Sequence, residues 1–234
     1  MRTRPERRTY DQQCGLAFAL DLVGERWTLL IVREFLLGPR RYRELLEALP
    51  GIGTNLLADR LAALTAAGIL RPVDEGRRTG GYELTERGER LREPVLAMAR
   101  FGLALLAEQR GPRASVVRAS WAVLAVEAMV DPVRALAEES YEFQIDAEVF
   151  HVSVEGGGAV RTRLGPAEAP ALRVMTDART FFDVGSGLLD PVEALLTGVV
   201  RVDGAATAVR RCMILLGLLG NEQHGEPVSA RPEG

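Results

Sequence analysis

Gly53-Thr54-Asn55-Leu56-Leu57-Ala58-Asp59-Arg60-Leu61-Ala62-Ala63-Leu64 is the stretch whose reading decides the fold. Leu57, Leu61 and Leu64 recur at i, i+4 and i+7, which places them on one face of a helix. The opposite face carries Asn55, Asp59, Ala62 and Ala66, all short, where a solvated helix normally carries long charged residues. Short side chains permit close approach to a grooved surface, such as the floor of a DNA major groove. A second short helical pattern, Tyr42 to Leu49, precedes it and stops at Pro50-Gly51. Two short helices across a tight Pro/Gly turn predict a helix-turn-helix.

Downstream, Ile69 to Val73 and Tyr82 to Leu84 read as short strands around a Gly-rich tip containing Arg77 and Arg78. That is a β-hairpin wing. Upstream, Cys14 to Val23 reads as a helix with Leu16, Ala19, Leu20 and Val23 on one side, and Trp27 to Leu37 as another. Both are expected to pack behind the helix-turn-helix, with Trp27 structural. Gly38-Pro39-Arg40-Arg41 is a turn that sets two guanidiniums at the mouth of the first short helix. Side chains and helix-start amides together make a phosphate clamp there. Candidate DNA-binding residues are therefore Thr54, Asn55 and Asp59 for bases, with Arg40, Arg41, Arg43, Arg60, Arg77 and Arg78 around them.

The charge distribution agrees. The 234 residues carry a net charge of −3, yet residues 1–113 hold 19 Arg against 15 Asp and Glu, while residues 114–234 hold 10 against 17. A basic front half and an acidic back half predict two modules with different partners. Lys is absent, and Arg suits bidentate phosphate and guanine contacts. No run approaches the ~20 apolar residues of a membrane span, and the basic start lacks the apolar core of a signal peptide. Two cysteines, 14 and 212, offer no disulfide framework, so a cytoplasmic protein is expected.

Several of these segments, in order and at matching separations, resemble the HxlR-type winged-helix regulators. They are Cys14, Asp21-Leu-Val-Gly-Glu-Arg-Trp-Thr-Leu-Leu-Ile31, Gly38-Pro-Arg-Arg-Tyr-Arg-Glu-Leu45, Leu49-Pro-Gly-Ile52, Leu57-Ala-Asp-Arg-Leu61 and Tyr82-Glu-Leu-Thr-Glu-Arg-Gly88. The resemblance spans about residues 10–108 and implies a dimeric bacterial transcription factor that binds operator DNA. It also implies a thiol switch at Cys14. Two departures stand out: Gly15 replaces the usual proline after the cysteine, and the recognition helix starts Gly53-Thr54-Asn55, which implies a different operator. Thr85 to Glu108 reads as one long helix, N-capped by Thr85 and kinked by Pro94. Its stripe of Leu96, Ala99, Leu103 and Leu106 joins the dimer interface in the family or packs on its own domain.

The polar segment 109–115 reads as a linker between a domain at 10–108 and another at 116–220, with a basic arm at 1–9 and a tail at 221–234. The second domain opens with an apolar helix, Val116 to Val130. Tyr141 to Ile145 and Phe150 to Val154 alternate as half-buried strands, followed by a turn at Gly156 to Gly158 and a strand over Val160 to Leu164. Further strands are expected at Ala171 to Thr176 and Val199 to Val202. Helices are expected after Asp177, at Pro191 to Leu196 and at Ala205 to Leu219. Thr176-Asp-Ala-Arg-Thr-Phe-Phe182, Gly187-Leu-Leu-Asp-Pro-Val-Glu-Ala-Leu-Leu-Thr-Gly198 and Val200-Arg-Val-Asp-Gly204 resemble sterol carrier protein type 2. The overall class is then α+β: a winged helix-turn-helix followed by a sterol-carrier-like α/β sandwich, whose resemblance implies an apolar cavity for lipid-like ligands. Trp121, Phe143, Phe150, Phe181, Phe182, Leu195 and Met213 are candidate lining residues, large apolar groups beyond what one sheet face needs.

No nucleophile elbow, phosphate loop or dinucleotide motif is present, so no catalytic residue, cofactor or enzymatic activity is expected. His151 and His224 lack partners at ligand spacing, so no metal is expected either. Cys212 lies in an apolar helix and reads as core. The leading expectation is a one-component, dimeric, DNA-binding regulator responding to a hydrophobic small molecule. Two alternatives stay open: a regulator that senses oxidation through Cys14 with a purely structural second domain, and a lipid carrier whose winged helix only contacts proteins.

Overall fold

A computed structural model describes residues 9–73, 80–106 and 116–219. The chain is an α+β protein that divides into two compact units, 1–98 and 99–234. The division falls within a helix, and the expected linker 109–115 lies outside the described residues.

The first unit contains α1 (Gly15–Val23), α2 (Thr28–Leu36), α3 (Tyr42–Ala48), α4 (Thr54–Ala66), β1 (Leu70–Val73), β2 (Gly81–Leu84), α5 (Glu86–Glu89) and the start of α6 (Arg92–Leu106). This is the winged helix-turn-helix expected, with β1 and β2 paired antiparallel from Leu70↔Leu84 to Val73↔Gly81. Leu57, Leu61 and Leu64 of α4 are buried, as are Ile31, Val32 and Phe35 of α2 and Leu45 of α3. These aliphatic faces form the core.

Two expectations for this unit need correction. The first concerns α1, whose Leu16, Ala19 and Leu20 face outward while only Ala17 and Val23 are buried. Leu16 is 69% exposed and Phe18 60%. Nearly every position of Gly-Leu-Ala-Phe-Ala-Leu-Asp-Leu-Val is apolar, so periodicity does not determine which side turns in. The second concerns the helix after the wing, which is two helices broken at Arg90-Leu91 rather than kinked at Pro94. Pro94 is the third residue of α6, in the first turn, where its missing N–H removes no intrahelical bond. In α6, Leu96 is buried and Leu103 half-buried, whereas Met98, Phe101 and Leu105, at i, i+3 and i+7, are exposed together with Leu106. The free apolar stripe is thus not the one expected.

The second unit contains α7 (Trp121–Met129), β3 (Ser140–Ile145), β4 (Glu148–Val154), β5 (Val160–Leu164), β6 (Leu172–Thr176), α8 (Ala178–Gly185), α9 (Pro191–Leu196), β7 (Arg201–Gly204) and α10 (Ala206–Leu215). Its strands form one mixed sheet in the order β5-β4-β3-β6-β7. Only β3 and β6 are parallel. The alternation read from the sequence sets the faces: Tyr141, Phe143, Ile145, Phe150, Val152 and Leu172 are buried on one side. Asp131 caps the 3-10 turn that follows α7, Asp177 caps α8 by accepting from the Thr180 amide, and Asp190 caps α9. The first helix here begins at Trp121 rather than Val116, and the last strand lies two residues later than expected.

Candidate nucleic-acid interface and apolar cavity

The turn between α3 and α4 needs a backbone that only glycine adopts without strain: Gly51 has φ +93°. A hydrogen bond of 2.7 Å from the Tyr42 hydroxyl to the Thr54 carbonyl then fixes the start of α4 against the start of α3. The Arg41 amide donates to Glu44 Oε2 at 2.7 Å, closing the first turn of α3. With its leucines buried, α4 leaves Thr54, Asn55, Ala58, Asp59 and Ala62 exposed. Asn55 and Asp59 have no side-chain partner among the described residues, so their polar groups are available to a ligand. A narrow helix face with two free polar groups and several alanines can enter a groove and offer one bidentate amide to a base edge.

The candidate arginines divide by what already holds them. Arg43 is on the surface and, among the described residues, pairs only with Glu47, one turn on, at 3.2 Å. Arg40 exchanges two backbone hydrogen bonds with Tyr82, at 3.0 and 2.9 Å, which ties the turn before α3 to β2. Arg60 has a different placement from that expected of a DNA contact. Its guanidinium donates to Glu25 Oε2 at 2.9 Å and to the Arg26 carbonyl at 3.4 Å. It therefore latches α4 to the turn before α2. Arg77 and Arg78 lie outside the described residues, while the base of their hairpin is cross-linked by Arg71 to Glu83 at 2.7 Å.

Cys14 is exposed and sits immediately before α1, where the amides of Ala17 and Leu16 favour the thiolate and lower its pKa. Cys212 is the opposite case, its thiol pushed up to about 12 by burial and by the nearby Glu139. Brief treatment with iodoacetamide at neutral pH is therefore expected to alkylate Cys14 at least tenfold faster than Cys212. Peptide mass mapping reads the ratio, and comparable rates would contradict this assignment.

Four of the seven aromatic or apolar candidates of the second unit converge. Phe143, Phe181, Leu195 and Met213 line a cavity between the sheet and helices α7 to α10. Phe150 is buried against Phe143 with ring centroids 5.2 Å apart and lies outside the lining, as do Trp121 and Phe182. The cavity measures about 80 Å³, several times the ~10–15 Å³ that one water needs. Much of the remaining wall comes from valines such as Val126, Val174, Val202 and Val209, which no sequence signal distinguishes from ordinary core. Next in sequence to the lining residue Cys212, Arg211 of α10 grips Glu139 with bonds of 2.5 and 2.6 Å, and the Tyr141 hydroxyl donates to the same carboxylate. This holds the Glu139 carboxyl below its ordinary range and fixes α10 to the start of β3.

Among the described residues, no cluster of His, Cys, Asp and Glu is placed to hold a metal, and no helix is long and apolar enough to cross a membrane.

Comparison with known proteins places these features. The family model of the HxlR-like helix-turn-helix matches residues 22–110. An uncharacterized HTH-type transcriptional regulator of Synechocystis is 37% identical over 91 residues, which are 38% of this chain and 67% of that protein. A regulator of the same description from Mycobacterium tuberculosis is 38% identical over 96 residues, 40% of this chain but only 60% of that protein. The HTH-type regulator YvaP of Bacillus subtilis is 34% identical over 80 residues, covering 33% of this chain and 73% of YvaP. None of these three matches spans more than 40% of the chain. From α2 through the wing to the end of α6, this chain belongs to the HxlR-like helix-turn-helix family of transcriptional regulators, not to a family of enzymes.

Proposed function

We propose that the protein is a cytoplasmic, dimeric transcription regulator that binds operator DNA through α4 and the wing and responds to an apolar small molecule in its second unit. The observation that carries the DNA reading is the exposed face of α4, where Asn55 and Asp59 stand free among alanines above a fully buried leucine face. The exposed apolar faces of α1 and α6 support the dimer. The cavity supports the ligand, and the sheet with helices over an apolar space fits the sterol-carrier-like reading of this unit. Because α6 carries the chain from one unit into the other, a ligand that prefers one dimer geometry has a covalent route to the recognition helices. A coupling of ~1–3 kcal/mol is enough.

The test is a gel shift on DNA upstream of the protein's own gene at two salt concentrations. Asn55→Ala is expected to relax base preference at one operator position, at a cost of roughly 1–3 kcal/mol there. Replacing Arg77 and Arg78 by Ala is expected to weaken binding evenly on all sequences and to flatten the salt dependence by about one unit or more. Unchanged affinity and slope in the arginine variant would remove the wing from the interface. A panel of apolar compounds scored by melting temperature, followed by gel shifts with each hit, tests the ligand.

A second reading is favoured by the exposed, acidified thiol of Cys14. In it, mild oxidation releases DNA from the native protein but not from Cys14→Ser. The same loss in both proteins would end that reading.

A further inference from the structure

Hydrocarbon alone does not aim a recognition helix. Leu57, Leu61 and Leu64 bury one face of α4. Apolar packing is non-directional, so it sets how deep the helix sits better than how it is rolled about its axis. Reading a base edge is directional, because a bidentate amide depends on both distance and angle. Two polar restraints supply direction. One is the bond from the Tyr42 hydroxyl to the Thr54 carbonyl at the first residue of α4. The other is Arg60, half-way along.

Arg60 follows Leu57 by three positions, so it leaves α4 at the margin between the buried leucines and the exposed face of Asn55 and Asp59. Only 21% of its side chain is exposed. Its guanidinium holds Glu25 Oε2 at 2.9 Å and the Arg26 carbonyl at 3.4 Å. The turn that receives it is itself fixed. The Thr28 amide closes it by donating to the Glu25 carbonyl at 3.0 Å. Trp27 sits at φ +78°, a left-handed backbone that a bulky residue adopts only at a cost. Its indole lies against the turn between α3 and α4, where a Cβ on Gly51 would be 3.8 Å from the ring. The Arg26 guanidinium covers the same indole, 5.7 Å from its centre. One short turn thus touches the helix-turn-helix both at its corner and on its second helix.

We propose that Arg60 and Glu25 are positioning residues for base recognition: their latch sets the roll of α4 so that Asn55 meets a base edge. This rests on the reading of α4 as the helix that enters the groove. The pair is neutral as a unit, so it offers phosphates little attraction, and most of the Arg60 side chain is committed to the protein. Cutting the latch leaves the leucine face and the other arginines in place. Specific binding then suffers, while binding to DNA in general does not.

The native full-length protein first selects its tightest duplex from a randomised pool, and a shuffled duplex of the same composition is the non-specific probe. Arg60→Ala and Glu25→Ala are each expected to lower the selected-to-shuffled affinity ratio by about three- to tenfold, the loss of a charge-assisted hydrogen bond. The double variant loses no more than Arg60→Ala alone, because both changes cut one latch. Affinity for the shuffled duplex and the salt slope stay as in the native protein. Asn55→Ala changes the ratio less in the Glu25→Ala background than in the native protein. A salt slope that falls by about one in Arg60→Ala, with weakening on both duplexes and no effect of Glu25→Ala, would make Arg60 a phosphate contact and overturn the latch. An unchanged ratio in both variants, or losses that add, would overturn it too. The Glu25 side chain is 62% exposed, so Glu25→Ala tests the latch by itself where Arg60→Ala fails to fold. No effect of Asn55→Ala in the native protein, or no duplex selected, would remove the reading of α4 and this inference with it.

Discussion

Gly88→Ala is expected to destabilise the first unit by about 3 kcal/mol or more, lowering its melting temperature by roughly 10–20 °C for a unit of this size. The reason is local and specific. A Cβ at position 88 would lie 2.2 Å from the Ile69 carbonyl oxygen and 2.8 Å from a Leu84 methyl. The Leu84 side chain can turn away, but the carbonyl cannot, because it accepts the Thr85 amide at 3.0 Å. Thr85 in turn donates its hydroxyl to the Gly68 carbonyl at 2.6 Å and accepts the Gly88 amide at 3.1 Å. The residue that caps α5 thus also holds the end of α4 to the wing, and a methyl at Gly88 pushes that knot apart. Gly15→Ala is the matched control, since its Cβ would meet nothing within 4 Å, and a change within about 0.5 kcal/mol is expected. Thermal unfolding followed by circular dichroism compares the two. Equal melting temperatures would show that the backbone at Ile69 yields where its hydrogen bonds say it does not.

The second large effect concerns assembly. In the dimer proposed above, replacing Leu16 and Phe18 by Asp is expected to raise the dissociation constant by at least a hundredfold and to abolish operator binding at nanomolar protein. Both side chains are mostly exposed within one chain, so the substitution removes little from the folded protomer. A protomer would therefore keep its helical signal while losing its partner. Large apolar anchors at the centre of an interface each cost ~2 kcal/mol or more when lost, and buried aspartates add desolvation. Sedimentation equilibrium distinguishes the outcomes. A double variant that remains dimeric at low micromolar concentration would take α1 out of the interface and leave the Met98, Phe101 and Leu105 stripe of α6 as its candidate.

What was legible in the chain follows from how many physical signals agreed at each place. The helix-turn-helix carried three: the leucine spacing of α4, the Pro50-Gly51 turn and the arrested helix before it. The structure has all three at those residues. The wing was legible from its two short strands around a glycine-rich tip. The orientation of α1 was not, because an almost uniformly apolar helix has no polar face to turn outward. Arg60 shows the limit at single residues. Charge type and position on α4 made it a DNA candidate, but whether a long side chain reaches outward or back depends on Glu25, distant in sequence. For the cavity, counting aromatics found Phe143 and Phe181 but not the reason Phe150 is excluded. Phe150 belongs to β4, on the far side of β3 from β6, while the cavity opens on the β6 and β7 side. Sheet order comes from long-range pairing, which local patterning does not encode.

The exchange of backbone bonds between Arg40 and Tyr82 has a consequence for how the wing opens. A two-stranded hairpin standing alone is marginally stable in water, and its outer edge is free to recruit another strand. Here the outer edge of β2 is occupied at its second residue by the turn that leads into α3. The amides of Arg40 and Tyr82 each donate to the other's carbonyl, so a solvent deuteron reaches either one only after the same separation event. Their protection factors in native-state hydrogen exchange should therefore coincide and fall together in denaturant. Swinging the hairpin thus also means unpicking the entrance to α3, so the wing and the helix-turn-helix, the two surfaces proposed to meet DNA, open as one kinetic unit.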